Sequence, residues 1–110
     1  MNDPVEWVET GKFVMPVIPD ELHVDPRTSA ILHCVSFLEL SGDDTVDPDW
    51  AVEALEHVAH YLQRLSPDDL PRMFAELETI ASWAESQQMA PHFVDLVRHF
   101  AENCGLKSEE

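Results

Sequence analysis

Three dipeptides, Asp25-Pro26, Asp47-Pro48 and Ser66-Pro67, each set a capping side chain directly before a proline. The side-chain oxygen accepts an orphan N–H of the first helical turn. Proline at the first helical position lacks a donor that would have no partner there anyway. Three such starts commit most of a short chain to helix. Helix one is expected from Pro26 to about Leu40, stopping at Ser41-Gly42, and helix two from Pro48 to about Leu65. Helix three should run from Pro67 to about Glu85, but Pro71 lies too deep in that span to be harmless, so the helix starts late or bends. A fourth helix is expected from near Pro91 to Asn103, with Gly105 and Leu106 placed for a Schellman-type stop.

Each of these segments carries an apolar stripe at the helical period. On helix one it is Ile31, Cys34, Val35 and Leu38, widened by Ala30 and Phe37. Helix two offers Val52, Leu55, Val58, Ala59, Leu62 and Leu65. Helix three offers Leu70, Met73, Phe74, Leu77, Ile80, Ala81 and Ala84, and helix four Phe93, Leu96, Val97 and Phe100. Four stripes joined by short loops predict an all-α fold, a bundle of about four helices spanning residues 25–110. Residues 1–24 read differently. Val5-Glu6-Trp7-Val8-Glu9, Thr10-Gly11 and Lys12-Phe13-Val14-Met15 form two β-prone runs around a turn, followed by Pro16 and Pro19. A small hairpin and an extended arm both fit that pattern. The 110 residues suit one domain overall.

Charge narrows the function classes. The chain has 22 acids against 6 Lys and Arg, a net charge of -16. Between Arg27 and Arg64 there is no lysine or arginine, while Glu39, Asp43, Asp44, Asp47, Asp49, Glu53 and Glu56 all fall there. Such a field costs stability through self-repulsion, raises encounter rates with cationic partners and repels nucleic acid. Apolar residues at 45% keep the chain out of the disordered class. Its apolar runs are too short to span a membrane. The opening Met1-Asn2-Asp3-Pro4-Val5-Glu6 lacks the basic and apolar regions of a signal peptide, which leads to an expectation of cytoplasmic residence. There Cys34 and Cys104 are expected reduced, each a small buried hydrophobe, with a structural disulfide the alternative.

The candidate partner-binding residues are Asp43, Asp44, Asp47, Asp49, Glu53, Glu56 and Trp83. The four aspartates crowd the loop before helix two and its start, and the two glutamates continue along its polar face. The plain alternative is that Asp47 caps, Asp49 complements the helix dipole and the rest are solvated. Calcium is rejected. Counting from Asp43, the glycine and glutamate positions of an EF-hand loop hold Pro48 and Ala54. His57 and His60 share the polar face of helix two, each four residues after a glutamate, and such a face could supply two or three ligands to zinc or nickel, but no motif completes the site. No metal and no cofactor is expected. With Leu70 as reference, Trp83 points about 140° from the helix-three stripe, beside Arg72, Glu76 and Thr79. It is either an interface anchor or a ring covered by the N-terminal arm or a loop.

Catalytic signatures are missing. The three glycines are scattered and no Gly-x-Ser-x-Gly elbow is present, so the expectation is a binding protein, not an enzyme. In size, charge and helicity, and in its aspartate-dense stretch from Ser41 to Trp50 (SGDDTVDPDW), the chain resembles small bacterial immunity proteins. Those proteins bind and neutralise a cognate toxin, often a basic nuclease or another enzyme acting in the cytosol. The likeness spans roughly Asp25 to Gly105 and transfers no individual residue role. It implies that acidic side chains steer onto a basic surface, where one or two aromatic anchors lock the interface. The rival expectations are a stand-alone adaptor or regulatory subunit whose acidity is only solvation, and a DNA mimic occupying a nucleic-acid-binding protein.

Overall fold

Four helices and an N-terminal hairpin form the architecture of the computed structural model, which describes residues 5–42 and 44–106. Strands β1 (Trp7–Thr10) and β2 (Phe13–Pro16) pair antiparallel, with Thr10 opposite Phe13, so the loop is Gly11-Lys12. Gly11 has φ +62 and Lys12 does not have a positive φ, the pattern of a type II′ turn, whose hand matches the strand twist. The hairpin alternative of the sequence reading is therefore the one realised. Strand alternation turns Phe13 and Met15 into the core and leaves Val14 exposed. The Phe13 ring meets His33 and Phe37 of helix α1 (Pro26–Leu40) edge-on, at centroid distances of 5.7 and 5.4 Å, which locks the hairpin onto that helix.

Helix α1 spans Pro26–Leu40, α2 Pro48–Leu62, α3 Asp69–Ser86 and α4 Pro91–Asn103. Asp25 and Asp47 cap as expected, accepting from the N–H groups of Arg27 at 2.8 Å and Asp49 at 2.9 Å. The α3 segment starts late. Ser66 opens a turn in which its hydroxyl and carbonyl both accept from Asp69 N–H, and the helix follows. Pro71 then occupies the third helical position, where a backbone donor would have no intrahelical acceptor, so it neither bends nor breaks the helix. Helix α2 ends three residues before the expected Leu65 because Arg64 and Leu65 bond back to Tyr61 and Leu62 in tightened i→i+3 turns. Leu106 N–H to Ala101 and Gly105 N–H to Glu102 complete the Schellman stop of α4, with Gly105 at φ +72.

The core gathers Met15, Leu32, Ile80, Val97 and Phe100, all essentially removed from water, between α1, α3 and α4. Each such side chain contributes about 1.5–3 kcal/mol by burial. The most extensive helix contact is between α3 and α4. Helix α1 touches α2, α3 and β2, whereas α2 packs chiefly on α1 alone. Extents of 39 × 36 × 21 Å make the molecule about two helix layers thick.

Two stripes need correction. On α1 the buried residues are Thr28, Leu32, Val35 and Ser36, while Ala30 and Cys34 are exposed. The buried side of α1 includes the polar Thr28 and Ser36 while the apolar Ala30 and Cys34 lie off it, so apolar periodicity does not single out the face. Cys34 is consequently an exposed free thiol and not a buried one, whereas Cys104 is buried as expected. On α2, Ala51 is buried and Val52 exposed. The two lie on opposite sides of Leu55, at about 40° and 60°, so the first turn gives the periodicity little to choose between.

Candidate protein-docking face on helix α2

The described acidic residues line the approach to α2 and its exposed side. Asp47 sits before α2, where its Oδ1 accepts from the N–H groups of Asp49 and Trp50 at 2.9 and 3.3 Å. Asp49 stands in the first turn, and Glu53 and Glu56 follow along the exposed side of the same helix. Asp43 lies outside the described residues. Asp44 is not base-free. The hairpin carries Lys12 to it from 32 positions earlier in the chain, and the ammonium donates to Asp44 Oδ2 at 2.7 Å. That hydrogen bond holds the Asp44 carboxyl below the usual carboxylate range.

Among the described residues, Asp47, Asp49, Glu53 and Glu56 form no ion pair with Lys or Arg. The described cations are engaged elsewhere. Arg27 binds Asp25, Arg72 meets Asp69, and Arg98 bridges Glu78 and Glu85. Among the described residues Arg64 meets no carboxylate. Its guanidinium carbon lies 5.2 Å from the centroid of the Tyr61 ring, while its Nη2 meets His60 Nε2 at 3.1 Å.

The sequence reading passed over two aromatics on this face. Trp50 is 72% exposed and Tyr61 60% exposed, three helical turns apart. Eleven residues at 100° each return to within about 20° of the starting direction, so both rings stand on the side turned away from α1. That spacing was available in the sequence as a signal. His57 and His60 flank Tyr61 at ring distances of 6.3 and 5.7 Å. No group of three or more His, Cys, Asp or Glu suited to a metal ion occurs among the described residues.

Trp83 lies on a different helix, α3. It is half-buried and packs against the core cluster. The buried side of α3 is centred on Met73, Leu77, Ile80, Ala81 and Ala84. From that centre Trp83 lies about 100° away, at the flank, because Leu70 is an off-centre reference. A separate hollow of about 300 Å³ opens between the hairpin and the start of α4, lined by Trp7, Phe13, Leu40, Met89 and Phe93.

No family model, curated protein or solved structure matches this chain. No helix among the described residues is long and apolar enough to cross a membrane.

Proposed function

We propose that the chain is an acidic protein-binding module that docks a basic partner protein on the outer face of α2. The immunity-type inhibitor of a cytoplasmic toxin is the form of this role that its size, charge and helicity fit best. One observation carries the reading. A helix held to the bundle along one side presents Asp49, Trp50, Glu53, Glu56 and Tyr61 together to solvent. Exposed carboxylates accelerate encounter with a cationic surface, and exposed Trp and Tyr are the residue types that dominate interface energies. The module acts by occupancy, with no catalysis, cofactor, nucleic acid or membrane of its own.

The test is kinetic. The partner is captured from cells on the immobilised chain, identified, and its association rate measured as salt is raised from about 0.05 to 0.5 M, a range over which the screening length shrinks several-fold. A basic partner with an association rate falling about tenfold or more supports the reading, as does loss of that salt dependence in a triple variant Asp49→Asn, Glu53→Gln, Glu56→Gln. A salt-independent rate, or unchanged kinetics in the triple variant, overturns it. Asp47 is left intact because its carboxylate caps α2.

A further inference from the structure

We propose that Trp50, with Glu53 beside it, is a receptor for an arginine side chain of the basic partner. This deepens the docking reading above and rests on it. The α2 face already contains the chemistry in a self-satisfied form. In a chain with a large surplus of carboxylates, Arg64 lies over the Tyr61 ring, with His60 accepting from the guanidinium. Three turns earlier the same face repeats the aromatic without the cation. Trp50 is the most exposed large hydrophobic of the described residues. Glu53 is its i+3 neighbour on the helix surface, and no described Lys or Arg pairs with Glu53.

No lysine or arginine lies between Arg27 and Arg64 in sequence, and the described Lys12, Arg27, Arg64, Arg72 and Arg98 are engaged away from Trp50, so the cation assigned to this ring is the partner's. Its chemistry follows from the pair. A guanidinium stacks flat on an indole and at the same time directs its fork of N–H donors at an adjacent carboxylate. An ammonium is a compact, strongly hydrated point charge that does the second without the first. The occupant is therefore an arginine-bearing segment of the partner, and lysine is the poorer fit.

The experiment uses three peptides of equal length, each with four arginines spaced by alanine, or four lysines, or four citrullines at the same positions. Binding to the intact protein at low salt is followed by the indole N–H resonances, with the Trp50 signal assigned by Trp50→Phe. The arginine peptide should shift the Trp50 resonance and bind about threefold or more tighter than the lysine peptide, the scale of an exposed cation–π contact. The citrulline peptide should not bind. Trp50→Ala should equalise the arginine and lysine peptides. Equal affinities in the native protein, or binding that leaves the Trp50 resonance unmoved, overturn the arginine receptor while leaving acidic docking standing. Failure of both cationic peptides to bind overturns both readings.

Discussion

Glu76 of α3 accepts a 2.6 Å hydrogen bond from the hydroxyl of Thr28, 48 residues earlier on α1. The other oxygen of the same carboxylate accepts from the backbone N–H of Asp25 at 2.9 Å. One side chain therefore satisfies two donors at the start of a neighbouring helix, at a place where Thr28 is buried. It does between two helices what a capping glutamate does within one.

Removing that carboxylate should be costly. Glu76→Ala is expected to lower stability by about 2–3 kcal/mol, since hydrogen bonds to charged groups are worth more than neutral ones and a buried hydroxyl is left unpaired. Glu76→Gln should recover part of the loss. In chemical denaturation the double variant with Thr28→Val should be less destabilised than the sum of its parts, because the two residues share the bond.

Trp83 and Trp50 should respond in opposite ways to truncation. Trp83→Ala empties a partly covered site against the core and should cost about 2–4 kcal/mol, seen as a clear fall in melting temperature. Trp50→Ala should stay within about 0.5 kcal/mol, as exposed positions do. If Trp83→Ala melts like the native protein and instead weakens partner affinity, Trp83 returns to the interface as an anchor.

The thiols should separate by exposure. Cys34 is exposed, while burial, and secondarily the nearby negative Glu39, pushes the Cys104 thiol up. A colourless aromatic disulfide reagent should titrate one thiol rapidly in the native protein and the second only on unfolding. Cys34→Ser should abolish the rapid phase.

Much of this was legible in the sequence, for reasons tied to particular residues. Asp25-Pro26, Asp47-Pro48 and the Gly105-Leu106 stop are local devices whose geometry needs no tertiary partner, and all three stand where expected. Three features were not legible. Lys12 reaches Asp44 only because a hairpin folds back over α1, a contact that spacing along the chain cannot reveal. The end of α3 carries no glycine. Gln88 takes φ +58 there while Met89 N–H bonds to Ala84, so tertiary packing imposes a stop that the residue type does not favour. On the candidate face, the acids stood out by their number. Trp50 and Tyr61 did not, because they lie outside the apolar stripe that the helical period picks out on α2.

Acid should act on stability in two opposing directions. Arg27, bonded to Asp25, holds that carboxyl down to about 2. Its folded pKa lies below the unfolded value, so the contribution is present above the ordinary carboxylate range and is lost as pH falls toward about 2. Glu39 is the reverse case, with desolvation raising its carboxyl. There the folded state binds the proton more readily, so stability is penalised at neutral pH and relieved as pH falls through the raised value. In thermal melts the native protein should gain stability as pH falls from neutral through the raised Glu39 value and lose it as pH falls on through the lowered Asp25 value. The gain should be smaller in Glu39→Gln, and the acid loss shallower in Asp25→Asn.

Helix α2 leans on the rest of the molecule chiefly through its seam with α1, while α3 and α4 make the most extensive helix contact. Cooperativity is unevenly distributed as a result. A segment with few neighbours opens at a lower free energy than the global one, so amide hydrogens of α2 should exchange with solvent well before those of α3 and α4. The face proposed for docking is thus carried on a helix less firmly held than α3 and α4. A ligand seated there would be recorded first as slowed exchange along Pro48–Leu62, before any change in the shape of the protein.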